Sequence, residues 1–163
     1  MAKNKEEKTN VMRVLEQKKI AYTPHSYPHE EGIAVDGVTV AQSMGFDPAI
    51  VFKTLVARGA SKQYYVFDVP VAENLDLKKA AKAVGEKSIE MIHQKELLPL
   101  TGYIHGGCSP VGMKKLFPTV FHSSAENLAA MIVSAGKIGY QVELAPHDLA
   151  ALVRAKFADL IAE

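Results

Sequence analysis

The apolar residues change period several times along the chain, and each change marks an element. Over residues 10–19, Val11, Val14 and Leu15 recur at helical intervals, Lys18 and Lys19 close the run, and Thr9 stands where an N-cap hydroxyl belongs, which predicts a helix. Residues 21–27 read as a short strand, and Pro24 assigns it to a sheet edge. A polar loop follows over 28–37, and Thr39 is expected to cap a short helix over 40–44 that Gly45 stops. Residues 51–58 and 63–69 alternate as strands on either side of Gly59-Ala60-Ser61-Lys62, the pattern of a hairpin. Asp76 caps a helix over 77–84, ended by Gly85. Beyond it lie a short strand over 88–92, a helical turn over 93–98 before Pro99, and short strands over 103–105 and 118–122. Ser124 is expected to cap a short helix. Strands over 130–134 and 138–144 are joined by Ala135-Gly136-Lys137. Pro146 opens a final helix running to about residue 161, with Asp148 favouring its N-terminal dipole.

Strands and helices are mixed irregularly and include hairpins. The expected class is α+β: one domain over residues 1–163, with a mixed, largely antiparallel sheet curling toward a barrel and flanked by short helices. No repeat, low-complexity tract or linker interrupts it.

Composition narrows the partners. At 48% hydrophobic and 23% charged residues, the chain has the balance of an ordered protein with a proper core. No apolar run approaches the ~20 residues of a bilayer span. The charged start, Met1 to Lys8, lacks the apolar core of a secretory signal, and a single cysteine leaves no internal disulfide. A cytoplasmic protein is the expectation. The net charge is +1, which disfavours a protein that grips nucleic acid alone through many phosphates. Lys78, Lys79, Lys82 and Lys87 cluster, as do Lys114 and Lys115. A solvated helix face explains them, with a modest phosphate-facing patch as the alternative.

Candidate chemistry rests on two segments. In the strand over 51–58, Lys53 shares a face with Val51, Leu55 and Ala57. A lysine on an apolar face either snorkels from an edge or opens on a concave site. The second segment is Gly106-Gly107-Cys108-Ser109-Pro110-Val111-Gly112, whose glycines and proline preclude ordinary helix or strand. Such a run brings bare backbone close to a small ligand. It is no Walker loop, because Met113 follows Gly112 where a lysine is needed. Cys108, with His105 three residues before it, is a candidate nucleophile lacking a third orienting group; a small buried thiol is the plainer reading. A metal site drawn from His25, His29, His105 and Cys108 is a further alternative. Asp36, Asp68 and Asp76 sit near turns and read as caps.

Taken together, Val51-Phe52-Lys53-Thr54-Leu55-Val56, Val69-Pro70, Leu75-Asp76-Leu77-Lys78-Lys79-Ala80-Ala81, Gly102-Tyr103, the glycine run and Val133-Ser134-Ala135-Gly136-Lys137 resemble the YbaK/EbsC family. That family is related to the editing domain inserted in bacterial prolyl-tRNA synthetases. The order and spacing match over roughly residues 8–155, and the branch resembled is that of the Cys-tRNA(Pro)/Cys-tRNA(Cys) deacylases.

The resemblance implies hydrolysis of a mischarged aminoacyl-tRNA ester at its 3′ aminoacyl-adenosine end, without a cofactor or metal. It implies an essential role for Lys53. It also implies an aminoacyl pocket lined by Gly106 and Gly107 with the adjoining Cys108, Ser109 and Pro110, to which Ser134 and Tyr27 contribute. The implied partner is prolyl-tRNA synthetase, and no membrane is involved. The family often has Arg and Asp after the Ser-x-Gly turn, where this chain reads Lys137-Ile138-Gly139-Tyr140-Gln141. Gln141 keeps an acceptor but not a charge. This departure leaves open a different mischarged species such as Ala-tRNA(Pro). A synthetase- or tRNA-binding adaptor without hydrolysis is the non-enzymatic alternative.

Overall fold

Local capping chemistry sets most of the helices. The computed structural model describes residues 8–30 and 32–162, so the charged start at residues 1–7 lies outside it. Helix α1, Asn10–Gln17, begins at Thr9, whose hydroxyl accepts the Met12 amide at 3.3 Å. Eight residues alone are too few for a stable helix. Burying Val11 and Leu15 supplies the difference, at about 1.5–3 kcal/mol for each such side chain. Helix α2, Gly37–Met44, is capped by Asp36 rather than Thr39: the Asp36 carboxylate accepts the Thr39 amide at 3.1 Å. The helix therefore starts earlier than the pattern suggested, and Gly45 ends it in the left-handed region. Helix α3, Leu77–Val84, lies between Asp76 and Gly85 as expected.

Two helical ends differ from expectation. Helix α4, Gln94–Thr101, continues through Pro99. The proline removes one N–H, yet the Thr101 hydroxyl donates to the Leu97 carbonyl at 2.7 Å and the Lys114 ammonium donates to the Pro99 carbonyl at 3.3 Å. Helix α5, Pro146–Val153, stops at Arg154 (φ 59°), well before residue 161. Beyond it the chain returns to a sheet. Residues Ser123–Asn127 form a 3-10 turn, where a helix capped at Ser124 was expected.

The strands are β1 (Thr23–Ser26), β2 (Phe52–Gly59), β3 (Tyr64–Pro70), β4 (Ile89–Met91), β5 (Thr119–His122), β6 (Met131–Ser134), β7 (Tyr140–Leu144) and β8 (Lys156–Ala158). They form two sheets instead of one. The first has order β1-β7-β6 and is antiparallel throughout, with β1 at an edge as Pro24 required. The second has order β4-β2-β3-β5-β8. In it β2 is antiparallel to β3 and β4, while β3, β5 and β8 run parallel. The class is α+β, and the described strands close no barrel. A parallel bridge between Val51 and Ile132 joins the sheets. The strand expected over 103–105 is absent. Tyr103 instead turns inward, where its hydroxyl donates to the Val111 carbonyl.

Strand β2 separates two cores. Phe52 and Val56 face the larger one, with α1, β6, β7 and α5. Leu55 and Ala57 face the smaller one beneath α3, with Phe67, Val69 and Val120. A third group, Ala41, Val51 and Ile132, seats α2 at the junction of the sheets. The start of β2 is therefore the place where both sheets, α2 and the following loops converge.

Candidate active site

A cavity of about 540 Å³ opens at that junction. The start of β2 contributes residues 51–55 to its wall, the segment before α2 contributes Ala34, Val35 and Asp36, and the glycine loop contributes His105, Gly106 and Cys108. Tyr27, Ser134, Tyr140 and Gln141 close it from the first sheet.

Lys53 is half-buried in this wall. Burial pulls its pKa below the usual lysine value, while the charges of Asp36 and Glu73 oppose that shift. Asp36 gives one carboxylate oxygen to the Thr39 amide and hydroxyl, and its charge lies near Lys53. The glycine loop comes close because it lacks side chains. At Gly106 the backbone has φ +88°, and a Cβ would stand 2.6 Å from the Ala34 Cβ. Ala34 and Gly106 thus pack wall against wall, which leaves main chain facing the cavity.

The thiol of Cys108 is not poised for attack. Burial first, then the charge of Asp68, pushes its pKa up to about 12, although a hydrogen bond with Thr101 opposes the shift. It stays protonated near neutral pH, so the nucleophile alternative loses its chemical basis. Tyr103 is likewise pushed up to about 12, mainly by burial.

Five of the residues expected at the site line the cavity: Tyr27, Lys53, Gly106, Cys108 and Ser134. Ser134 also accepts the Gly136 amide at 3.0 Å and so shapes the turn beside the cavity. Gly107, Ser109 and Pro110 do not line it. Gly107 backs onto residues 137–138, where a Cβ would lie 3.0 Å from the Ile138 nitrogen. Ser109 is fully buried and accepts the Val111 amide at 3.2 Å, and Pro110 is buried beside it. A tight turn cannot present every residue to one side, and these three hold it from behind.

The metal-site candidates are not brought together. His25 meets Glu143 at 2.8 Å, and His29 meets the Tyr27 carbonyl at 2.9 Å. Among the described residues no three His, Cys, Asp or Glu side chains converge as a metal site. In the lysine cluster, Lys79 pairs with Asp159 at 3.0 Å and donates to the Ile161 carbonyl at 2.9 Å, a structural engagement.

Two groups were missed or misread. Strand alternation places Thr54 on the face opposite Lys53, yet the cavity wraps around the start of β2 and takes in both. Asp68, read as a turn residue, lies in β3 with no exposure at all. One of its carboxylate oxygens accepts the Thr54 hydroxyl, and the other has no partner among the described residues. Burial pushes its pKa up to about 7, with the Thr54 hydrogen bond opposing. The signal was present: Asp68 interrupts the apolar run Val66-Phe67-Asp68-Val69. Gln141 is also buried, paired in register with His25 and Ser134, and its carbonyl oxygen has no partner among the described residues.

Known proteins resemble this chain in sequence and in fold. Residues 34–152, which include most of the cavity wall, match the aminoacyl-tRNA editing domain family. A relative from Enterococcus faecalis, provisionally named Cys-tRNA(Pro)/Cys-tRNA(Cys) deacylase EbsC, is 46% identical over 161 residues, which cover 98% of each chain. A solved structure described provisionally as a trans-editing enzyme for prolyl-tRNA synthetase is 26% identical, with a TM-score of 0.79 over 94% of this chain and 95% of the other. The structure of a hypothetical protein, 18% identical, shares the fold with a TM-score of 0.82 over 93% and 99% of the two chains. With both the sequence match and the shared architecture spanning the segments that build the cavity, the chain belongs to the aminoacyl-tRNA editing domain family.

Proposed function

We propose that this protein is a trans-editing hydrolase that deacylates mischarged Cys-tRNA(Pro), and Cys-tRNA(Cys) with it, by a mechanism assisted by the substrate's own thiol. The observation that carries this reading is the placement of the Lys53 ammonium and the bare backbone of Gly106 in one cavity of about 540 Å³. The similarity to a relative provisionally named as such a deacylase supports the substrate class.

The chemistry suits a cavity without an activated enzyme nucleophile. A pocket separates small apolar side chains poorly, because one methylene is worth roughly 1–3 kcal/mol. Selection by reactivity avoids that limit. The cysteine sulfur attacks its own ester carbonyl, a C–S bond forms, and the C–O bond to the ribose breaks. The thiol proton ends on the ribose oxygen, and the released thiolactone then takes up water to give cysteine. Intramolecular attack gains effective molarities up to about 10⁵–10⁸ M. Alanine has no thiol and cannot follow this route. In this reading Lys53 holds the acceptor end and stabilises the charge that develops on the ester oxygen, while Tyr27, Gly106, Cys108 and Ser134 fold the aminoacyl group toward its own carbonyl.

A net charge of +1 fits a protein that meets its tRNA on a synthetase, and prolyl-tRNA synthetase in the cytoplasm is the proposed partner. No helix among the described residues is long and apolar enough to cross a membrane. The test is a panel of Cys-tRNA(Pro), Cys-tRNA(Cys) and Ala-tRNA(Pro), each assayed with and without prolyl-tRNA synthetase. Fast loss of cysteine with alanine retained is the expected result. Preferential release of alanine, or binding without turnover at high enzyme concentration, rejects it.

A further inference from the structure

The cavity has a cation, Lys53, but an esterified amino acid brings a second cation, its α-ammonium. Of the other side-chain acceptors in the wall, Asp36 gives one carboxylate oxygen to Thr39 and lies in the field of Lys53, while Gln141 offers a neutral amide oxygen that is itself buried. Thr54 is different. It points to the opposite face of β2 from Lys53, which keeps the two cations apart. It is half-buried in the cavity wall, and behind it, in direct register on β3, stands the fully buried Asp68.

We infer that Asp68 is a positioning residue: its carboxylate accepts the hydrogen bond of the Thr54 hydroxyl, so that the cavity meets the Thr54 oxygen as an acceptor for the substrate α-ammonium. A hydroxyl has one proton and two lone pairs. Free to rotate, it presents either to a ligand. Tied to a carboxylate, it presents lone pairs alone, and the anion behind it strengthens their hold on a cation. The Asp68 surroundings favour this role over a structural one. Its neighbours Val66, Phe67, Val69 and the β5 register partner Phe121 are apolar and buried, and one carboxylate oxygen has no partner among the described residues. An apolar side chain would suit such a position better for stability alone. Cys108, the titratable side chain that interacts with Asp68, remains a neutral thiol near neutral pH. Burial holds Asp68 near the point where an arriving cation tips it to the carboxylate form.

The inference rests on the deacylase reading, and the test separates the two. Two stable analogues of the substrate end are used: 3′-(cysteinylamino)-3′-deoxyadenosine, and the same compound with its α-amine acetylated. The wild type should prefer the free amine. Thr54→Val and Asp68→Asn should each reduce that preference by about 10-fold or more. Both should leave affinity for the acetylated compound nearly unchanged, Thr54→Ser should restore the preference, and the double variant should lose no more than either single one. Asp68→Asn should also be more stable than the wild type at pH 7.5, a combination that loss of packing would not produce. Equal binding of both analogues by the wild type overturns the inference while leaving the deacylase reading intact. So does equal weakening of both analogues in the variants. Failure of the wild type to bind either analogue removes the deacylase reading and this inference with it.

Discussion

Lys53 and Gly106 line one cavity from segments of different kinds, a strand and a loop, and Ala34 sets how closely the loop approaches. The strand fixes where the ammonium stands, and the absence of a side chain at residue 106 leaves main chain to face it. Either element alone is commonplace, and their convergence makes the site.

Replacing Lys53 with Ala should lower kcat/KM for Cys-tRNA(Pro) by at least about 100-fold, the range seen when a group stabilising developing charge is removed. The fold should be retained, because the side chain is only half-buried and its partial burial opposes the charge. Single-turnover deacylation together with circular dichroism checks this. Near-normal turnover would remove Lys53 from the mechanism.

Cys108→Ser should leave deacylation within about a factor of three of the wild type, since a thiol pushed up to about 12 is not a nucleophile near neutral pH. Rates measured on the same charged tRNA decide it. A collapse of activity with intact folding would shift the chemistry from the substrate's thiol to the enzyme's.

Gly106→Ala introduces two strains together: a positive φ of +88° and a Cβ 2.6 Å from the Ala34 Cβ. A stability loss of about 1–3 kcal/mol is expected. Displacement of the wall at Ala34 should lower kcat/KM by more than about 10-fold. Denaturant unfolding and kinetics on one preparation test both. A Gly106→Ala protein with wild-type kinetics would show that this wall does not touch the substrate.

The sign of the Asp68 effect on stability follows from its raised pKa. Its folded value is about 7 against an ordinary 3.8, so the neutral form is favoured by folding. Its favourable contribution is complete below about pH 4 and is lost as pH rises through about 7. At about 1.4 kcal/mol per pH unit, the penalty above that window reaches roughly 4 kcal/mol. Asp68→Asn should therefore gain stability relative to the wild type between pH 4.5 and 7.5. Urea titrations of both proteins at several pH values measure the gap. A gap independent of pH would mean that Asp68 does not titrate in this window.

Several features were legible because their causes are local. Thr9, Asp76, Gly45 and Gly85 act within one helical turn, and strand alternation placed Lys53 on an apolar face beside Leu55. The glycine run announced bare backbone by composition alone. Other features have distant causes. Helix α4 runs on through Pro99, and the Lys114 ammonium meets the Pro99 carbonyl from fifteen residues farther along the chain. Residues 156–158 become a strand because they find β5 beside them in parallel, a pairing without a local signature.

The sequence by itself determined the caps of α1 and α3, the stop of α2 at Gly45, the β2–β3 and β6–β7 hairpins, and the presence of a lysine on an apolar strand face and of a glycine loop. Only the tertiary structure decided that the strands divide into two sheets bridged at Val51, that Gly107, Ser109 and Pro110 support the loop from behind, and that Asp68 lies beneath Thr54. The physical reason is range. Caps, turns and side-chain alternation act over a few residues, whereas burial, register and the sharing of one cavity depend on segments that meet only once the chain has closed on itself.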